Sequence, residues 1–108
     1  KTGIINTDGI DECANTYIAH PMTGMQFRGV QIPFWEEICA LCKEASQALP
    51  CLRVVGWDVA ILSDGRLELI EGNHRTGMNI VQAPAKHGVH DKFESMLLDY
   101  YGDPEQYI

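Results

Sequence analysis

"GWDVAILSDGRLELIEGNHRTG", residues 56–77, decides how this chain is read. An apolar run ends at Ser63-Asp64-Gly65 and a second run follows. Asp-Gly between two such runs is a strong short-range signal for a β-hairpin. The charges are unusual for that element. Asp58 lies inside the first run, Glu71 inside the second, and Asn73 two residues further on. With Asp64-Gly65 as the two central turn residues, Ser63 pairs with Arg66, Leu62 with Leu67 and Ala60 with Leu69. Asp58 then pairs with Glu71, and Gly56 with Asn73. Side chains two apart on a strand share a face, so Asp58, Glu71 and Asn73 converge near the open end of the hairpin. A three-residue loop would shift the register and break this alignment.

Like charges directly opposite one another on a sheet repel. A proton, a Lys or Arg, or a divalent cation can offset that repulsion. Three oxygen-bearing side chains suit hard Mg²⁺, and Gly56 and Ala60 leave room beside Asp58 on its face. The structural alternative is a solvated sheet end, with both carboxylates bonded to a lysine or to backbone. The next residues favour the cation. "NHRTG" puts Arg75, Thr76 and Gly77 directly after the ligand candidates, and a guanidinium, a hydroxyl and a flexible backbone suit phosphate oxygens.

Outward from the hairpin, "PFWEEICALCKEASQAL" (33–49) predicts a helix. Pro33 suits its first turn, and Glu36 and Glu37 its positive end. Phe34, Ile38, Leu41, Cys42, Ala45 and Leu49 follow helical spacing toward a core, and Pro50 stops the element. Residues 1–31 suggest short strands or irregular connections around turns such as Asp8-Gly9. Residues 74–88 read as a loop punctuated by Gly77, Pro84 and Gly88. "VHDKFESMLLDYYG" (89–102) reads as a final helix with Phe93, Met96, Leu97 and Tyr100 on one face, ended by Gly102. The expected fold is α+β: a small antiparallel sheet carrying the 53–62/66–72 hairpin, with helices 33–49 and 89–101 packed mainly on one face.

The 108 residues suffice for one domain with a modest core. A net charge of −7 argues against a nucleic-acid surface built on bulk positive charge. No apolar run approaches the ~20 residues of a membrane span. Lys1 in first position suggests a piece of a longer protein. Nothing marks the chain as secreted, so reduced thiols and a cytoplasmic location are expected. Cys39 and Cys42 have CxxC spacing, which opens a thiol-redox or zinc reading. Against it, both lie on an apolar helical face, where small thiols commonly pack.

The ordered set of Asp58, then Glu71-Gly72-Asn73, then a loop with Gly77 resembles the C-terminal catalytic segment of ATP-grasp enzymes. "HPMTGMQFRGVQIPFWEEI", "VVGWDVAI" and "LIEGN" resemble more closely the sugar-transfer-associated branch of that family. The resemblance implies that Asp58 and Glu71 bind Mg²⁺, with Glu71 shared between two ions and Asn73 completing one shell. It implies that Arg75, Thr76 and the backbone near Gly77 face ATP phosphates or substrate, Arg75 being the catalytic candidate. It also hints that His20 lines a substrate cleft, a plain turn at His20-Pro21 being the alternative. From residue type alone, Arg28 is a candidate partner for a substrate carboxylate or phosphate, and His74 is either a phosphate contact or simply exposed. The implied activity is an ATP-dependent ligase that activates a small carboxylate as an acylphosphate, in sugar or polysaccharide-related biosynthesis. Thr76-Gly77 stands where many ATP-grasp ligases have Pro-Gly. The lysines and Gly-rich loop with which the family holds adenine and phosphates are not found here, so the remainder of the ATP-grasp domain is an expected partner. The chain alone is expected to be inactive. A non-catalytic binding module of the same fold is the alternative from another class.

Overall fold

The structure is a computed structural model that describes residues 1–101, except the side chains of Leu97, Asp99, Tyr100 and Tyr101. Its elements in chain order are β1 (Gly9–Ile10), β2 (Thr16–Tyr17), α1 (Trp35–Gln47), β3 (Gly56–Ile61), β4 (Leu67–Asn73), α2 (Asn79–Ala85) and α3 (His90–Tyr101). β1 pairs with β2 and β3 with β4, each antiparallel, in two separate two-stranded sheets. The α+β class holds. Among the described residues no helix is long and apolar enough to cross a membrane.

The hairpin reaches the expected pairing at its open end by an unexpected route. The Leu62 amide donates to the Arg66 carbonyl at 2.8 Å, and the Gly65 amide to the Leu62 carbonyl at 2.9 Å. The loop is therefore Ser63-Asp64-Gly65, three residues rather than two. Gly65 sits at φ +83, a left-handed conformation that glycine adopts without steric cost. Asp64 braces the turn by accepting the Arg66 amide at 3.0 Å. The longer loop replaces the expected Leu62–Leu67 and Ala60–Leu69 pairs with Ile61–Leu67, Ala60–Glu68 and Val59–Leu69. A bulge between Asp58 and Val59 then leaves Ile70 as the extra residue on β4. Pairing resumes as Asp58–Glu71, Trp57–Gly72 and Gly56–Asn73. Two one-residue offsets cancel, so the two carboxylates still face each other.

The N-terminal third is irregular and is held by short backbone pairings. Ile5 donates to Val30, Gly29 to Ile5 and Ile32 to Gly3, at 2.8–2.9 Å. The tight turn is at Asp11 rather than Asp8-Gly9. Asp11 accepts the amides of Cys13 and Asn15, the Asn15 side-chain amide and the Tyr17 hydroxyl, all at 2.8–2.9 Å.

α1 begins at Trp35, not at Pro33, because Phe34 adopts a left-handed φ of +55. The Phe34 ring lies over the hairpin tip, where a Cβ on Gly65 would stand 3.3 Å from Phe34 Cζ. Residues 79–85 are helical where a loop was expected. This short helix contains Pro84 and ends at Lys86, whose φ is +56. Pro84 removes one late backbone bond and helps confine the element to two turns. α2 rests against β1, a tertiary contact that local sequence does not announce. α3 forms as expected; the placements of Leu97 and Tyr100 and the Gly102 stop lie outside the described residues.

The modest core expected from composition does not close. Among the described residues none is fully buried, and Phe34 is 44% exposed. The Cα radius of gyration is 16.7 Å, against about 13 Å for a compact domain of this length. The apolar faces of α1, α3 and the hairpin instead border an open concavity of about 690 Å³. Cys42, Ser46, Trp57, Val89, Phe93 and Met96 are among its lining residues. α1 and α3 thus flank the sheet face that carries Trp57, opposite the face of Asp58.

Candidate metal and phosphate site

The register sets Asp58 across from Glu71 and Gly56 across from Asn73. Cross-strand partners share a face, so the three oxygen-bearing side chains come together at the open end of the hairpin. All three are exposed. None of them makes a side-chain hydrogen bond or ion pair with another described residue. The structural alternative, carboxylates bonded to a lysine or to backbone, is therefore not what the described residues show. Two carboxylates and an amide oxygen on one face, with no cationic partner among the described residues, have the donor chemistry that a hard divalent ion such as Mg²⁺ takes.

The segment after β4 folds back over this end of the sheet. A Cβ on Gly56 would overlap Thr76 Oγ1 and Cβ, so the half-buried Thr76 side chain occupies the space above Gly56. That space does not remain open for a ligand, as the sequence alone suggested. Thr76 thereby anchors the turn that carries His74 and Arg75. Both are exposed, and neither makes a side-chain bond with another described residue. The Gly77 carbonyl accepts the Ile80 amide at 3.2 Å and opens α2. Thr76 is thus tied to the face of Asp58, and a cationic and a polar side chain hang on the turn before it.

His20 and Arg28 are engaged elsewhere. His20 Nδ1 accepts the Met22 amide at 3.2 Å, and its ring meets Phe27 edge-on at 6.3 Å. Arg28 forms a two-pronged pair with Asp8, Nε to Oδ1 at 2.6 Å and Nη2 to Oδ2 at 3.2 Å. Its Nη1 also donates to the Asn6 carbonyl at 3.2 Å. The Arg28 hydrogen bond is the main reason the Asp8 carboxyl lies below its ordinary range, with smaller help from the charge of Lys86. Sequence reasoning had no signal for Asp8, which lies twenty positions from its partner.

The described residues do not gather the thiols into a redox or zinc arrangement. All four cysteines are free, and Cys39 and Cys42 are half-buried on α1. Burial, and secondarily Cys39, push the Cys42 thiol up, away from the thiolate a redox centre needs. No cysteine belongs to a group of three or more His, Cys, Asp or Glu side chains clustered closely enough to hold a metal among the described residues. His90, Asp91 and Glu94 form such a group, exposed on the first turns of α3.

Trp57 lies on the sheet face opposite Asp58. Its indole Nε1 donates to Ser46 Oγ at 3.1 Å, and Ser46 Oγ donates to the Cys42 carbonyl at 2.8 Å.

The model of one protein family, described as sugar-transfer associated ATP-grasp, matches residues 1–96. No curated protein and no solved structure matches significantly.

Proposed function

Because the chain belongs to the sugar-transfer-associated ATP-grasp family, we propose that it forms the metal- and phosphate-binding portion of an ATP-dependent ligase. The observation that carries this reading is the convergence of Asp58, Glu71 and Asn73 on one exposed face with no partner for their charge among the described residues. Asp58 and Glu71 would hold Mg²⁺, with Glu71 shared between two ions and Asn73 completing one shell. Bound there, Mg²⁺ neutralises phosphate charge and aligns ATP with its attacker. Arg75 supplies a guanidinium suited to phosphate oxygens. Thr76 and the backbone near Gly77 line the same side.

The reaction is activation of a small carboxylate. Its oxygen attacks the γ-phosphate and ADP leaves; an amine or another nucleophile then attacks the acyl carbon of the acylphosphate, and inorganic phosphate leaves. His74 stands closest in sequence to the ligands and is offered as a substrate contact. His20 and Arg28 are offered more weakly, since their local bonds already account for their positions. An ATP- and Mg²⁺-dependent reaction suits the cytoplasm. The open apolar concavity and the lack of any fully buried residue among those described support completion by the rest of an ATP-grasp domain. This chain alone is then inactive.

The test uses the full-length natural protein with ATP, Mg²⁺ and a panel of small carboxylic acids, with hydroxylamine as the trapping nucleophile. An acid-dependent hydroxamate formed together with ADP, and lost in Glu71→Gln, is expected. ADP release that no acid stimulates, or turnover by the isolated 108-residue chain, contradicts the reading.

A further inference from the structure

We infer that Trp57 is the positioning residue for the metal ligands on β4, acting as a wedge behind Gly72. The inference rests on the metal reading above and deepens it. Three observations carry it. Trp57 is the register partner of Gly72, the residue between Glu71 and Asn73. A Cβ on Gly72 would stand 2.5 Å from Trp57 Cζ3 and 3.0 Å from Cε3, so the indole lies flush against the backbone joining the two ligands. The ring is itself fixed from the far side, since its N–H bonds Ser46 on α1 and Ser46 bonds the Cys42 carbonyl.

The geometry explains why this position is glycine. Gly72 is not in the left-handed region, so backbone conformation does not demand it. The constraint is the ring. Any Cβ at 72 must displace the indole or push β4 outward, and either movement separates Glu71 and Asn73 from Asp58. The bulge at Ile70 lies immediately upstream, where the ladder is locally interrupted and gives least resistance. The ring therefore supplies a rigidity that the ladder does not supply there. α1, which carries no ligand, sets the ligand spacing through the sheet.

The test is divalent-metal affinity, read with Mn²⁺ by electron paramagnetic resonance on the full-length natural protein. Partners that orient metal ligands typically change affinity by 10–100-fold. Gly72→Ala is expected to weaken Mn²⁺ binding at least about tenfold. Trp57→Leu is expected to weaken it as well, because the support is lost. The double variant should bind better than Gly72→Ala alone, since the smaller side chain frees the space the new methyl needs. Such non-additivity is the signature of direct contact. Ser46→Ala keeps the ring and removes only its anchor, so it should cost a few-fold, and Ser46→Ala/Trp57→Leu should cost no more than Trp57→Leu alone. They also serve if Gly72→Ala does not fold. Undiminished Mn²⁺ binding in a folded Gly72→Ala protein overturns the inference while leaving the metal site standing, and strictly additive losses also overturn it. No Mn²⁺ binding by the natural protein overturns the metal reading, and this inference with it.

Discussion

Asp58→Asn should stabilise the protein without metal and destabilise it with metal. The two carboxylates are cross-strand partners, both exposed, with no compensating cation among the described residues. Unit charges about 6 Å apart in water repel by about 0.7 kcal/mol, and physiological salt roughly halves that. Neutralising Asp58 without changing its shape should therefore raise metal-free stability by about 0.3–0.7 kcal/mol, within the range of like-charge cross-strand pairs. Mg²⁺ reverses the order. At about 100 times its dissociation constant a ligand stabilises the state it binds by about 2.7 kcal/mol. A variant that binds tenfold more weakly gains only about 1.4 kcal/mol at the same concentration. The natural protein should then lead by about 0.6–1.0 kcal/mol. The assay is urea unfolding of the full-length protein followed by circular dichroism, in EDTA and in MgCl₂, with NaCl matching ionic strength. A loss of stability for Asp58→Asn in EDTA would show that this carboxylate has a structural partner. An unchanged gap between the two proteins on adding Mg²⁺ would remove Asp58 from the metal site.

Other outcomes follow from individual contacts. The Asp8 carboxyl lies below its ordinary value of 3.8 because Arg28 holds it. Its contribution is thus present above 3.8 and is lost as pH falls through the lowered value. Asp8→Asn should be less stable than the natural protein near neutrality and converge with it in acid. Asp11 and Asp64 are lowered too and will keep part of the acid loss in place; a gap that persists in acid would assign Asp8 another role. Thiol labelling followed by mass spectrometry should modify exposed Cys13 and Cys51 before Cys42, whose thiol is pushed up by burial. Faster labelling of Cys42 would reopen the redox reading. Gly65→Ala should cost about 1–2 kcal/mol, because its φ of +83 disfavours a side chain. An unchanged urea midpoint would contradict the turn described here.

Legibility differed from one element to another. The hairpin, α1 and α3 were readable because their apolar spacing and their Asp-Gly or Pro punctuation agree. The Asp58–Glu71 pairing was readable only by cancellation. Turn length depends on the conformation of one residue, Gly65, and the bulge at Ile70 has no local marker in a run of apolar and acidic residues. α2 was hidden because Gly77, Pro84 and Gly88 punctuate its segment, while its contact with β1 is tertiary. In the candidate site, the convergence of Asp58, Glu71 and Asn73 on one face was legible from residue type and period. The occupancy of Gly56's space by Thr76, the Arg28–Asp8 pair and the indole behind Gly72 were not, since each depends on packing between elements distant in sequence. The missing closed core was also illegible. Composition counts apolar residues but does not say what covers their faces.

Mg²⁺-dependent ATP binding by the full-length natural protein, compared with its Glu71→Ala/Asn73→Ala variant by isothermal titration calorimetry, is the most direct test of the assigned site. Binding that requires Mg²⁺ and weakens by about a hundredfold or more in the variant is expected, because two of three protein ligands are removed. Tight binding that the two substitutions leave unchanged would place the metal site elsewhere in the protein.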